Sequence, residues 1–177
     1  AAPASGRRPT TTRAGRAAAA SVQIVMVKIL ALDRDAILVV KNCSTSIRVE
    51  ERLSTKIDVS GRIVRVPQLS LQDYVRLFGG SHVALETFPF GGSITSLDAF
   101  EGGTPVVSMK QFRARPALTV ALYDIMNLSC CVALDIDDYV QRAVRIASEP
   151  SLRSTIRSSL DAARVRLHAS RAAGRGL

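Results

Sequence analysis

Residues 83 to 109 read VALETFPFGGSITSLDAFEGGTPVVSM, and this stretch decides the fold. Val83 to Leu85 is a short apolar run suited to a core strand. Gly91-Gly92 opens a flexible loop, and Ile94 to about Glu101 has helical apolar spacing. Gly102-Gly103 stops that helix, and Pro105 to Ser108 forms the next apolar strand. Strand, loop, helix, turn and strand in direct succession point to a parallel sheet covered by helices.

The same alternation extends outward. Upstream, Ser21 to Leu32 reads as a helix and Ala36 to Val40 as a strand whose continuous apolar run suits burial on both faces. Ile47 to Thr55 is a charged surface helix, and Ile63 to Val66 is a strand stopped by Pro67. Ser70 then caps a helix over Leu71 to Phe78, with Gly79 and Gly80 expected to supply a left-handed turn at its end. Downstream, Pro116 suits the first position of a helix reaching about Met126, and Cys130 to Ala133 makes a last strand. Asp135 caps Ile136 to Ala147, and Ser151 to Ala169 forms a strongly basic final helix. About five strands with intervening helices define an α/β, Rossmann-like, doubly wound parallel sheet, whose ligand site lies at the carboxyl ends of the strands.

The chain has 177 residues and 47% hydrophobic content, enough for one domain with a sizeable core. Its formal charge of +9 invites a nucleic-acid reading, so where the charge sits matters. Residues 1 to 21 carry +4 and residues 151 to 177 carry +5, while residues 22 to 150 hold 14 basic and 14 acidic side chains. The excess belongs to the ends, which argues against a nucleic-acid-binding fold and leaves only polyanion contact by the tails.

Residues 1 to 20 contain no large apolar residue or aromatic and read as a disordered basic leader or linker. An organelle transit segment is the alternative for this Arg-rich start. Residues 21 to 170 form the lobe, and 171 to 177 a flexible tail. No run approaches membrane-spanning length, since the most apolar stretch, Val22 to Leu32, is broken by Gln23 and Lys28. Cys43, Cys130 and Cys131 have neither metal-ligand spacing nor an even count, so reduced thiols in the cytoplasm or nucleus are expected. His82 and His168 have no ligand-like partners, and no metal site is expected.

The chemistry concentrates after the strand at residue 85. A glycine loop followed by a helix N-terminus lets backbone N–H groups and the positive end of a helix dipole hold a phosphate, with Gly91 and Gly92 allowing close approach. Ser93 and Thr95 add hydroxyl donors in the first turn. Asp98, one turn on, can accept from two ribose hydroxyls, while Leu97 and Phe100 face the sheet. The same pattern also serves as a plain tight turn, and both readings stay open on physical grounds.

The segment resembles the signature of the O-linked N-acetylglucosamine transferase family, roughly L-D-T-F-P-(F/Y)-x-G-x-T-T-x-x-(D/E)-(A/S)-L-x-x-G-(V/T)-P-V-V-T. The matching residues are Leu85-Glu86-Thr87-Phe88-Pro89-Phe90, Asp98-Ala99 and Gly103-Thr104-Pro105-Val106-Val107. Flanks at Ile29 to Lys41, Arg62 to Tyr74, Ala121 to Leu128 and Asp137 to Ala147 extend the likeness over about residues 22 to 165. The resemblance implies the C-terminal lobe of a GT-B glycosyltransferase, which binds a nucleotide sugar without a required metal or other cofactor. It further implies that Thr95 contacts the diphosphate, Gly92 and Ser93 present backbone to it, and Asp98 binds the ribose. Tyr74 falls where an aromatic or His lies near the uracil or ribose; packing of its helix on the sheet is the equal alternative.

The departures are specific. Leu71 stands at the family's Lys, Tyr74 at its His and Ile94 at the first of two consecutive Thr. The Lys-bearing loop that should precede the first helix falls on the Ala/Arg-rich leader, and Lys28 lies inside a helix. Arg113 and Arg115 either reach the phosphates or lie in a solvated loop.

The family's acceptor groove and N-terminal catalytic lobe precede this region, so no catalytic residue is assigned. The resemblance therefore implies a UDP-sugar-binding fragment not active by itself, with UDP-GlcNAc or a related nucleotide sugar as donor. The acceptor is a protein Ser or Thr, and the partner is the missing lobe. The alternative is a degenerate lobe serving as a non-catalytic interaction module.

Overall fold

The computed structural model describes residues 13–88, 91–92, 94–110 and 118–173. Its elements are α1 (Arg13–Leu32), β1 (Leu38–Lys41), α2 (Ser44–Ser54), β2 (Ile63–Val66), α3 (Leu71–Gly80) and β3 (Ala84–Leu85), then α4 (Ile94–Glu101), β4 (Val106–Met109), α5 (Leu118–Met126), β5 (Val132–Ala133), α6 (Ile136–Ser148) and α7 (Pro150–Ala173). All strand pairings are parallel, as the alternation of strand and helix requires.

The strands form two hydrogen-bonded groups, β1-β2 and β3-β4-β5. In the first, Leu38 pairs with Ile63 and Val39 with Val64; in the second, Leu85 pairs with Val107 and Met109 with Ala133. Leu85 packs against the apolar clusters of both groups and so joins them. Helix α1 does the same along its length, giving Val25 and Ile29 to the larger cluster and Leu30 to the smaller.

The larger core surrounds Phe100, Tyr123 and Tyr139, each at most 1% exposed. Burying a large apolar side chain contributes about 1.5–3 kcal/mol, so these three and their neighbours carry much of the stability. The Phe100 and Tyr123 rings meet edge to face with centroids 5.0 Å apart. The Tyr123 hydroxyl is satisfied, donating to the Val106 carbonyl and accepting from its amide, both at 2.9 Å.

Strand β1 departs from expectation. Only Leu38 is buried, while Val39 and its partner Val64 are each 44% exposed. Helices α1 and α2 cover the face carrying Leu38 and Ile63, which leaves the opposite face of this two-stranded ribbon open. A continuous apolar run thus overstated its burial, because a strand needs helices on both faces to be covered twice.

Helix α1 begins at Arg13, eight residues before the expected Ser21. The run Ala17 to Ala20 has the highest helix propensity of any residue type and extends the helix without large apolar side chains. The expected leader thus holds helix from residue 13, and residues 1–12 lie outside the described residues. Helix α7 runs to Ala173, three residues into the expected flexible tail, whose remainder at 174–177 lies outside the described residues.

Ser70 caps α3 as its position suggests, its Oγ accepting from the Asp73 amide at 3.2 Å. Gly79 and Gly80, however, belong to the helix, and neither has positive φ. Gly79 serves instead as part of a close crossing. A Cβ on Gly102 would lie 2.7 Å from the Val75 carbonyl oxygen and 3.0 Å from the Gly79 nitrogen, so α3 and the end of α4 meet backbone to backbone. Gly103 then supplies the left-handed turn, with φ +70°.

The arginines of α7 are tied to the ends of other helices. Arg153 donates to the Ile146 and Ala147 carbonyls at the end of α6, and Arg157 to Gly79 and Ser81 at the end of α3. Arg164 reaches Glu101 at the end of α4, and Arg166 reaches Met126 at the end of α5. Arg62 treats α1 likewise, bonding the Leu30, Asp33 and Ala36 carbonyls. The last carbonyls of a helix lack intrahelical donors and carry the negative end of its dipole, so a guanidinium satisfies both needs. Much of the C-terminal basic excess is therefore structural. Among the described residues, no helix is long and apolar enough to cross a membrane.

Candidate functional site

In a parallel α/β sheet the helices run back against the strands, which puts helix N-termini at the carboxyl ends of the strands. The arginine-capped helix ends therefore lie at the opposite edge from the loop after β3. That loop leads into α4, whose first turn contains no acidic residue, whereas α3 has Asp73 and α6 has Asp137 and Asp138 in theirs. The positive end of the α4 dipole is thus left without a carboxylate from its own first turn.

Gly92 is partly exposed and sits against α4. A Cβ placed on it would lie 2.6 Å from Ser96 Oγ and 3.5 Å from Glu86 Oε1, so only glycine fits without displacing buried groups. Thr95 is exposed in the first turn of α4, and Asp98 is half-buried one turn on. Burial pushes the Asp98 carboxyl above its ordinary 3.8. The chain thus brings Gly92, Thr95 and Asp98 together on one loop and helix. Ser93 lies outside the described residues.

Tyr74 comes from α3, which packs against α4. It is half-buried, and its ring lies 6.3 Å from that of Phe78, tilted by 33°. Leu71 and Ile94, the first residues of α3 and α4, are 65% and 70% exposed. Lys28 lies within α1 and pairs with Asp137 of α6 at 2.5 Å. Arg113 and Arg115 lie outside the described residues. Among the described residues no group of three or more His, Cys, Asp or Glu could hold a metal ion.

Sequence reasoning missed the floor beneath this loop. Glu86, immediately after β3, is buried at 7% exposure, and its carboxylate accepts from Ser108 Oγ on one oxygen and Thr119 Oγ1 on the other. Thr119 Oγ1 is also 2.7 Å from Ser96 Oγ. Ser96, Ser108 and Thr119 are all buried. The Tyr139 hydroxyl donates to the Glu86 carbonyl at 3.0 Å, and its ring meets Phe88 edge to face at 5.6 Å. Two hydroxyl donors offset part of the cost of burying a carboxylate. No local signal reveals the cluster, because Ser108 and Thr119 lie 22 and 33 residues from Glu86.

Parallel strands, helices between them and a glycine loop at the carboxyl edge make this a Rossmann-like lobe. Its fold matches a point mutant of the O-GlcNAc transferase of Thermobaculum terrenum, with a TM-score of 0.74 and 23% sequence identity. The match covers 80% of this chain and 28% of that one, so this chain corresponds to just over a quarter of the transferase. No protein-family model matches the chain, and no curated protein matches it. At this identity the likeness is one of fold.

Proposed function

We infer that this chain is the donor-binding lobe of a protein O-glycosyltransferase, taking UDP-GlcNAc or a related nucleotide sugar at the carboxyl end of β3. The diphosphate rests on the backbone of Gly92 and Ser93 and on the Thr95 hydroxyl, beside the positive end of α4. Asp98 accepts from the ribose hydroxyls, and Tyr74 stacks by the uracil. As the sugar transfers to a Ser or Thr hydroxyl, negative charge grows on the departing UDP, and the fixed N–H groups of the loop and helix stabilise it. The acceptor is held in line by a second lobe.

The observation that carries this reading is the bare backbone at Gly92, closed to any side chain by the Ser96 Oγ 2.6 Å from a Cβ position. The fold shared with the Thermobaculum transferase supports it. A second reading, a non-catalytic interaction module of the same fold, is favoured by Leu71 and Ile94, which expose large apolar side chains where a ligand would want polar ones.

The test is a titration of the isotopically labelled chain with UDP, followed by NMR. Shifts confined to amides of residues 91–98 and α3 are expected. An unchanged spectrum at millimolar UDP would leave the interaction module as the surviving reading.

A further inference from the structure

The Glu86 cluster has a direction. Thr119 has one hydroxyl hydrogen, and it goes to Glu86 Oε1. In its 2.7 Å contact with Ser96, Thr119 must therefore accept, and Ser96 must donate. Hydrogens thus run from Ser96 to Thr119 to the carboxylate, and Ser96 Oγ keeps only acceptor capacity on the side where Gly92 lies against it. Ser108 serves the other carboxylate oxygen, Oε2, and has no part in this chain. Among the described residues no Lys, Arg or His pairs with Glu86, and the hydroxyls of Ser108 and Thr119 hold its carboxylate in place.

We propose that Glu86 is a positioning residue for the loop after β3, acting through Thr119 and Ser96 to fix Gly92 and with it the height at which the loop offers its backbone to a ligand. The cluster joins β4, α4 and α5 to the residue that follows β3, so Gly92 is referenced to the sheet. A buried, fully connected polar chain is stiff, because breaking any link leaves a buried group unsatisfied. Backbone already held in place at Gly92 pays less ordering entropy when it binds a diphosphate. This role rests on the donor-lobe reading only for the identity of the ligand.

The test compares the two arms of the carboxylate in the whole chain. Thr119→Val and Ser96→Ala break the Oε1 arm, Ser108→Ala breaks the Oε2 arm, and Thr119→Ser restores the hydroxyl. Amide hydrogen exchange of the peptide covering residues 88–97, and UDP affinity, are read for each. Thr119→Val and Ser96→Ala are expected to speed loop exchange and weaken UDP binding, each about tenfold, the equivalent of one lost hydrogen bond. Thr119→Ser should stay within about twofold of the unmutated chain by the same scale. Ser108→Ala should lower stability without changing the loop peptide. Loop exchange unchanged in both Oε1-arm variants would overturn the proposal, as would an equal change in Ser108→Ala. Should the unmutated chain fail to bind UDP while the exchange pattern holds, the donor reading falls and the positioning role stands. Should Thr119→Val not fold, Ser96→Ala carries the comparison, since it removes one hydroxyl at the end of the chain.

Discussion

Gly92 lies directly against Ser96: a Cβ built on the glycine would be 2.6 Å from the serine Oγ. Ser96 cannot simply turn away, because its hydroxyl is engaged with Thr119 at 2.7 Å. Gly92→Ala must lift the loop or break that link. We expect it to destabilise the fold by about 1–3 kcal/mol, the usual cost of overpacking, and to abolish measurable UDP binding. Thermal unfolding and a UDP titration of the same sample check both.

The crossing of α3 and α4 separates two glycines that look alike in sequence. A Cβ at Gly102 would meet the Val75 oxygen at 2.7 Å and Phe78 Cβ at 3.0 Å, whereas one at Gly80 meets nothing within 4 Å. Gly102→Ala should therefore cost about 1–3 kcal/mol. Gly80→Ala should stabilise by about 0.5–1 kcal/mol, since Gly80 is helical and without positive φ. Urea midpoints decide it, and a destabilising Gly80→Ala would restore the left-handed turn that the sequence suggested.

Two arginines that look equally solvated should behave differently. Arg157 donates to the Gly79 and Ser81 carbonyls at 3.3 and 2.6 Å, while Arg145 pairs with Glu149 at the surface. Arg157→Met should cost about 1.5–3 kcal/mol, the range for hydrogen bonds from a charged group. Arg145→Met should leave the denaturation midpoint unchanged, because surface pairs contribute little. Urea unfolding of the two variants tests whether α7 is a structural clasp.

The neighbouring thiols just before β5 should titrate apart. The Cys131 thiol donates toward the Cys130 sulfur 3.6 Å away, which, with backbone donors and the Arg142 charge and against partial burial, lowers Cys130 to about 7. Giving its hydrogen to Cys130, together with burial, pushes Cys131 well above its ordinary value. Iodoacetamide should modify Cys130 with a pH midpoint of about 7 and leave Cys131 intact in the folded chain, as read by peptide mass spectrometry. A Cys130 midpoint at the ordinary 9.0 would remove the coupling.

What was legible in the sequence was local. Ser70 and Asp135 cap their helices through bonds to residues three positions on, and both caps read directly from the chain. Helix α4 and strand β2 fall where apolar spacing and flanking Gly or Pro put them. What was hidden depends on distant partners. Arg157 reaches back 76 and 78 residues to its carbonyls, and Glu86 finds Thr119 across 33. Val39 and Val64 show the same limit, since a run of apolar residues does not say how many helices will cover it. The sequence placed Gly92, Thr95 and Asp98 on one loop and helix, but gave no sign of the buried carboxylate beside them.

Calorimetric titration of UDP into the chain and into Asp98→Ala tests the donor-lobe claim most directly. On the proposed donor-lobe reading the ribose hydroxyls donate to ionised Asp98, and burial raises its carboxyl above the ordinary 3.8, so affinity should fall with decreasing pH while still above that value. Saturable heat from the unmutated chain near pH 7, weakened at least about tenfold in Asp98→Ala, is the expected result. No heat from the unmutated chain at millimolar UDP, or equal binding by Asp98→Ala, would contradict it.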